Sequence, residues 1–426
     1  MSAPTVRNSI VVQKYGGSSV ATPDKIRQIA GRVITCRTEH PRLVVAVSAM
    51  GKTTDQLVGL ARQVSRNPRG REYDLLLASG EQVAVSLLAL ALQDKGTPAI
   101  ALTGAQCEIL TDDAFNQARI QSIDTTRILE ELEHGNVVVI AGFQGVTERD
   151  EVTTLGRGGG DITAAAVAAA LNASVCEICT DVDGVLSADP SVVPEARLWP
   201  HITYEEAIEM ASSGAKVLHP RAAEICMEHG IPIHVRSSFH DKPGTWIRQG
   251  VSEMEQPLVV GVTGDGKIAK VTLWGVPDRP GVAAEVFKDL ADRDVNIRLI
   301  IQSASAEERA RITFILDDEF VDRATELVRL WKQKGMAKDG LVERNVAKIA
   351  IVGSRLSSTP GLAARMFAAL AREGINIDCI SSSEMKVACI IATDQLDRAV
   401  KAVHREFFGE SQPAQAVGNR QLAAGG

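Results

Sequence analysis

The C-terminal part of this sequence contains one stretch twice. Residues 280–303 read PGVAAEVFKDLADRDVNIRLIIQS and residues 360–383 read PGLAARMFAALAREGINIDCISSS, identical at 11 of 24 positions with a constant offset of 80. A repeat of this length means one supersecondary unit built two times. Each copy opens with Pro-Gly, a turn pair, and continues as an amphipathic helix, an Asn-Ile dipeptide and a strand. A strand-like stretch precedes each copy (269–274, 347–352) and another follows (310–316, 387–392), before a second helical stretch. The order β-α-β-β-α, twice over, is the ferredoxin-like pattern. We expect these two domains at 261–342 and 343–410.

The first part of the chain follows a different rule. Strand-like 10–14 runs into the turn Tyr15-Gly16-Gly17-Ser18-Ser19, and Pro23 opens a helical stretch to about residue 38. Apolar strands at 43–47, 137–141, 175–180 and 231–235 are separated by helical patterns at 54–65, 73–93 and 161–171. Such alternation indicates an α/β layer fold with a mainly parallel sheet. Only 4% of the residues are aromatic, which also suits helices on a sheet better than an aromatic-rich sandwich. Gly, Gln, Ser and Glu collect over 243–256. We therefore expect a first domain at 1–248, a linker at 249–260 and a disordered tail at 411–426.

Several function classes can be set aside. A net charge of −7 gives no basic excess for nucleic acid. The apolar stretches 75–92 and 164–171 are too short, or are broken by Glu81 and Gln82, to span a membrane. Residues 1–10 carry no apolar signal region, and seven cysteines, an odd number, point to reduced thiols in the cytoplasm. Cys176 and Cys179 form a CxxC within a strand, where residues three apart face opposite sides, so they do not read as a zinc site.

The chemistry-bearing stretches lie where strands end. Lys14-Tyr15-Gly16-Gly17-Ser18-Ser19 combines a fixed positive charge with glycines that let backbone approach an anion, ahead of a helix N-terminus. Gly51-Lys52-Thr53 mimics a P-loop, but the glycine that motif needs five residues earlier is Ala46, so it is no Walker site. Its hydroxyls and lysine still follow a strand, at the edge where open α/β sheets bind ligands. Gly156-Arg157-Gly158-Gly159-Gly160-Asp161 opens the Ala-rich helix; Arg157 can grip a carboxylate in bidentate fashion. The competing reading is a hairpin tip with Asp161 as an ordinary N-cap. Thr180-Asp181-Val182-Asp183-Gly184 is a turn that suits either a nucleotide or metal site or plain structure. Ser79-Gly80-Glu81 sits in a helical stretch, where a lone Glu is more often partly exposed than catalytic. Gly214–Arg221 is uninformative alone.

Taken in order, these segments resemble the aspartate kinases of the amino-acid kinase superfamily over residues 10 to 408. The family's KFGGTS appears as 14–19, VVSAMGKTTD as 45–55, SGE as 79–81 and GRGGSD as 156–161. TDVDGV is 180–185, ITYEEA is 202–207, GAKVLHPR is 214–221 and IPIHVRSSF is 231–239. The C-terminal repeat resembles the paired ACT domains of the same enzymes. The resemblance implies a three-layer αβα kinase domain with a mainly parallel sheet, followed by two ferredoxin-like (βαββαβ) ACT domains. It implies transfer of the ATP γ-phosphoryl group to the β-carboxylate of L-aspartate, giving 4-phospho-L-aspartate, the first step towards lysine, threonine, methionine and isoleucine.

The resemblance also implies roles. Lys14, Asp161 and Lys216 would be catalytic, with Asp161 orienting the lysines. Ser48, Thr53, Glu81 and Arg157 would hold aspartate. Lys14, Tyr15, Gly16, Gly17, Thr180, Asp181, Leu186, Ser191, Ala215 and Lys216 would hold nucleotide, with Mg²⁺ arriving on ATP and no protein metal site. Effector amino acids, lysine and threonine alone or together, would bind the ACT domains near Asp278, Gly281, Asn296, Ile297, Arg298, Gln302, Asn376, Ile377 and Glu384. About half of that set would be only turn and helix-exit elements of the repeat. ACT edge strands imply a homodimer or higher homo-oligomer, and Met254 stands where some relatives start a separate regulatory subunit.

The sequence departs from the family at Gly160, where relatives carry Ser, and at Leu186 and Ser191, where an aromatic and a cation are usual. Arg298 and Ser303 depart from the common regulated pattern. Alternatives are a specialised-pathway or weakly regulated paralogue, and an amino-acid sensor without catalysis.

Overall fold

The structure, a computed structural model, describes residues 9–250, 257–304, 309–356 and 358–409. Met254 and the expected tail 411–426 lie outside the described residues. Two compact units are formed: the first from described residues within 1–190, 195–263 and 352–354, the second from 191–194, 264–351 and 355–409.

In the first unit strand and helix alternate: β1 (Ile10–Tyr15), α1 (Pro23–Glu39), β2 (Arg42–Val47), α2 (Thr53–Val64), α3 (Arg71–Asp94) and β3 (Ala99–Leu102). Next come β4 (Ile109–Thr111), β5 (Ile120–Ile123), α4 (Thr126–Glu133), β6 (Val137–Ala141), β7 (Gln144–Val146), β8 (Val152–Thr154) and α5 (Gly159–Ala170). The series ends with β9 (Val175–Thr180), β10 (His201–Ile202), α6 (Tyr204–Ser213), α7 (Pro220–Glu228), β11 (Ile233–Ser237) and β12 (Thr245–Ile247).

Eight strands make one sheet in the order β10-β12-β11-β9-β1-β2-β6-β3. Every pair in it is parallel except β11 with β12. The run VVVIA of β6 is buried throughout, as a parallel strand covered on both faces must be. Side chains of α1 and α3, among them Ile29, Val33, Leu88 and Leu92, pack on Val11, Val45 and Val139 of the sheet. Local signals agree: the Thr22 hydroxyl caps α1 ahead of Pro23, and Thr203 with Glu206 forms a capping box on α6. Helix α3, at 24 residues, is longer than the sequence suggested and has the length and hydropathy of a membrane span. Half of its apolar window is buried in the unit, which is the pattern of a core helix.

One buried charge was not visible as such in the sequence. Glu177 of β9 accepts from Gln13 of β1 at 2.7 Å, and lies 3.3 Å from His234 and 3.4 Å from Arg236 of β11. Burial pushes its pKa up, but these hydrogen bonds and the guanidinium outweigh that and hold it below the ordinary value.

The second unit contains β13 (Gly261–Pro277), α8 (Val282–Ala291), β14 (Ile297–Ala304), β15 (Arg309–Asp317), α9 (Val321–Gln333), β16 (Asp339–Val352), α10 (Leu362–Arg372), β17 (Cys379–Ser382), β18 (Lys386–Ala392) and α11 (Leu396–Phe408). The two repeats do not keep separate sheets. They share one of six strands, β14-β15-β13-β16-β18-β17, joined at β13 and β16. Strands β13 and β16 are far longer than 269–274 and 347–352, and β16 runs through the expected boundary at 342/343. Their extra residues include Gly264, Gly266, Glu343 and Arg344, which interrupt the apolar pattern that marks a strand. Gly281 and Gly361, just before α8 and α10, have φ of 100° and 89°, so the glycine of each Pro-Gly pair is required by backbone geometry.

Candidate active site

Because the central strands are parallel, they release their loops at one edge. Tyr15 is in register with Val47 and Cys179, and Val47 with Ala141. The loops are laced together there. Ser48 N–H donates to the Tyr15 carbonyl at 3.1 Å, Gly51 N–H to the Gly17 carbonyl at 3.0 Å, and Gly142 N–H to the Val47 carbonyl at 2.9 Å. The hydroxyls of Ser19 and Ser238 share a buried hydrogen bond of 2.7 Å, and Ser238 N–H donates to the Thr180 carbonyl at 2.7 Å. A Cβ on Gly17 would lie 2.7 Å from the Ala49 carbonyl oxygen, so only glycine fits this turn.

Lys14 and Asp161 meet at this edge. Lys14 Nζ lies 2.7 Å from Asp161 Oδ1, with side chains only 14% and 11% exposed. Asp161 stands in the first turn of α5, where the helix dipole favours a negative charge, and its Oδ2 accepts from His219 N–H at 3.1 Å. That bond brings the segment carrying Lys216 to the glycine loop. The His219 ring packs on Gly158, where a Cβ would come within 2.3 Å of it, and φ is 75°. Burial pushes the His219 pKa down, Arg221 and Arg157 add to the effect, and Asp161 opposes it. Sequence reasoning gave this histidine no role; its fit to a glycine was the hidden signal.

Gly160 is closed in. A Cβ there would fall 2.6 Å from Ser48 Oγ and 3.4 Å from Lys14 Cε. The Ser48 hydroxyl thus occupies space that a larger residue at 160 would share.

Glu81, for which partial exposure was the commoner expectation, is 3% exposed. Its Oε1 accepts from Ala49 N–H at 3.0 Å, and its Oε2 is buried with no hydrogen-bond partner among the described residues. Burial pushes its pKa up to about 7, although the Ala49 N–H pulls the other way. Thr53, opening α2, donates its hydroxyl to the Met50 carbonyl at 2.7 Å. Gly80 fits against the Ala49 methyl, so Glu81 and the 48–53 loop form one surface.

The other expected residues sit as follows. Arg157 and Lys216 are exposed, and Ala215 and Leu186 are partly buried. The Thr180 hydroxyl donates to Asp181 Oδ1 at 3.2 Å. Gly16 lies beside Lys14 Nζ, and Ser191 is exposed. Tyr15 differs from the expectation of a nucleotide contact: its side chain is 1% exposed and its hydroxyl donates to Gln13 Oε1 at 3.2 Å. Strand alternation turns Lys14 to one face of the sheet and Tyr15 into the core on the other.

In the second unit Asp278, Gly281, Asn296, Gln302, Asn376 and Glu384 are exposed, and Ile297 and Ile377 partly buried. Arg298 is occupied by Asp265 and Asp317. Among the described residues no group of three or more His, Cys, Asp or Glu is placed to hold a metal ion.

Known proteins resemble this chain over most of its length. A model of the amino acid kinase family matches residues 9–237, and ACT-domain models match 271–335 and 349–407. The aspartokinase of Mycolicibacterium smegmatis is 44% identical over 414 residues, 96% of this chain and 98% of that one. The crystal structure of E. coli aspartokinase III in complex with aspartate and ADP (R-state) has a TM-score of 0.80 at 26% identity, covering 94% of this chain and all of that one. The same enzyme in complex with lysine and aspartate (T-state) has a TM-score of 0.70 at 26% identity, covering 94% and 99%. The chain belongs to the amino acid kinase family. Within it the chain is a member of the aspartokinases, ATP-dependent phosphotransferases with a carboxyl group as acceptor.

Proposed function

We propose that the loops around the Lys14–Asp161 pair are where aspartate and ATP meet. The observation that carries this is a nearly buried lysine, 2.7 Å from a single carboxylate, at the ligand-binding edge of a parallel sheet. The acceptor carboxylate is already ionised near neutral pH, so no general base is required. The task of the protein is to bring two anions together, which calls for cations and N–H donors fixed in advance.

Lys14 stabilises the phosphoryl group in transfer, Asp161 holds Lys14 in place, and Lys216 adds positive charge. Gly16 and Gly17 approach the phosphates, and Tyr15 contributes only backbone there. Thr180, Asp181, Leu186, Ser191 and Ala215 hold the rest of the nucleotide. Arg157 takes the α-carboxylate of aspartate, Glu81 its ammonium through the unpartnered Oε2, and Ser48 and Thr53 its remaining polar atoms. Mg²⁺ is carried by the nucleotide and neutralises phosphate charge.

The exposed Pro-Gly and Asn-Ile segments of the second unit receive effector amino acids, lysine and threonine being the candidates. Lysine in the T-state relative supports that class. The working form is a homo-oligomer in the cytoplasm, joined through ACT edge strands. Trapping aspartyl phosphate as its hydroxamate, with ATP and Mg²⁺, tests the reading; no product with aspartate would refute it. Repeating the assay with lysine and threonine, singly and together, tests regulation.

A further inference from the structure

At the root of the glycine loop lies a buried carboxylate that the reaction does not use. Asp74, in the first turn of α3, is fully buried. Its Oδ2 accepts from the backbone N–H groups of Asn116 and Thr154, each at 2.8 Å. Its Oδ1 accepts from the Thr154 hydroxyl at 2.7 Å and from Asn116 Nδ2. All four donors are neutral, and they come from two separate segments.

Both segments lead to Arg157. Thr154 ends β8, three residues before it. Asn116 has φ of 72°, an uncommon backbone state outside glycine, and its Oδ1 accepts from Gly70 N–H at 3.0 Å. The Asn116 carbonyl oxygen would lie 3.1 Å from a Cβ on Gly156, whose own φ is 76°. Between them, Leu155 N–H donates to the Phe143 carbonyl at 2.9 Å. One carboxylate therefore gathers the start of α3, the 112–118 loop and the last residue of β8, two positions before a stretch with four glycines in five.

We propose that Asp74 is a positioning residue for aspartate binding: it fixes the root of the glycine loop so that Arg157 is presented in one place, without itself touching substrate. The inference rests on Arg157 being the α-carboxylate ligand. A loop ordered beforehand loses less conformational freedom when ligand arrives. The α-carboxylate keeps its charge throughout the reaction, so what Arg157 contributes is felt equally in ground and transition states. Loosening the root should then raise KM and spare kcat. In Asp74→Asn an acceptor oxygen becomes an NH₂ facing donors, and at least one buried donor is left unpaired.

Steady-state kinetics on the full chain test this, with Arg157→Ala, Asp74→Asn, Asn116→Gly and the Asp74→Asn/Arg157→Ala double variant. Asp74→Asn should raise the aspartate KM about tenfold, with kcat and the ATP KM within about twofold. Asn116→Gly keeps the left-handed backbone, removes the side-chain bonds and should act the same way more weakly. In the Arg157→Ala background Asp74→Asn should add little to KM, since neighbours in one network are not additive. An unchanged aspartate KM in Asp74→Asn overturns the proposal, and so does a fall in kcat or a full KM increase that persists without Arg157. If Asp74→Asn does not fold, an unchanged KM in Asn116→Gly overturns it instead. An unchanged KM in Arg157→Ala overturns the assignment of Arg157 and this proposal with it, whereas a raised KM in Arg157→Ala beside an unchanged one in Asp74→Asn overturns the proposal alone.

Discussion

Lys14 and Lys270 are both held nearly out of solvent against aspartate, yet their surroundings differ. Lys14 ends a strand, with one carboxylate beside it and glycines 16 and 160 close by. Lys270 sits within β13, between Glu343 of β16 at 2.9 Å and Asp378 of the second repeat. Burial works against the Lys270 charge, but the hydrogen bonds to Asp378 and Glu343 outweigh it and raise its pKa. An ammonium with two carboxylates is a strut whose charge is more than offset. An ammonium with one keeps donor capacity for a ligand, and that separates a site from a staple more clearly than burial does.

The same contrast runs between the repeats. Asp378 stands at the position that the first repeat fills with Arg298, 80 residues earlier. Arg298 turns instead to Asp265 and Asp317. Equivalent folds thus carry opposite charges, and the pairing across the shared sheet follows the charge, not the repeat.

The largest test of the Lys14–Lys270 comparison is Lys14→Ala. It should lower kcat about 10²–10³-fold while the protein stays folded, as read by circular dichroism. Lys270→Ala should do the reverse, retaining kcat and destabilising the second unit by about 1–3 kcal/mol in denaturant unfolding, its partners being partly solvated. Equal effects of the two on kcat would erase the distinction.

Arg157→Ala comes next, with an aspartate KM raised by about ten- to a hundredfold and kcat little altered.

Glu81 gives a smaller, pH-resolved effect. Its folded pKa of about 7 exceeds the unfolded value near 4.5, so the folded state binds the extra proton. Its contribution to stability is fully present below about pH 4.5 and is lost as pH rises through about 7. Glu81→Gln should therefore gain stability relative to the parent between those limits, measured by thermal unfolding at each pH. Binding an ammonium needs the ionised form, so kcat/KM for aspartate should rise through pH 7 in the parent and lose that rise in Glu81→Gln.

The smallest effect is expected for Gly160→Ser. The nearest atom to its new Cβ is the rotatable Ser48 hydroxyl, so kinetics should shift less than about threefold. A larger loss would mean that Ser48 cannot move.

Much of the fold could be read from local pattern. β6 falls where its apolar β-branched run predicted it, because a strand buried on both faces with only apolar residues has no polar position to blur the pattern. β13 and β16 were read too short, because their outer residues are glycines and charges satisfied across the sheet. For the site, the segments were legible as glycine turns and polar residues after strands. The burial of Glu81 and the fit of His219 against Gly158 were not, since each depends on a neighbour far away in sequence.

The sequence by itself determined that this is a parallel α/β kinase unit followed by a repeated unit, and which loops carry the chemistry. Hydrophobic period and glycine positions are local properties, written residue by residue. Only the tertiary structure decided which charges meet: Lys14 with Asp161, Asp74 with Thr154 and Asn116, and Lys270 with Asp378. Those partners are 147, 80, 42 and 108 residues apart. A charge reveals its role only through the partner beside it once the chain is folded.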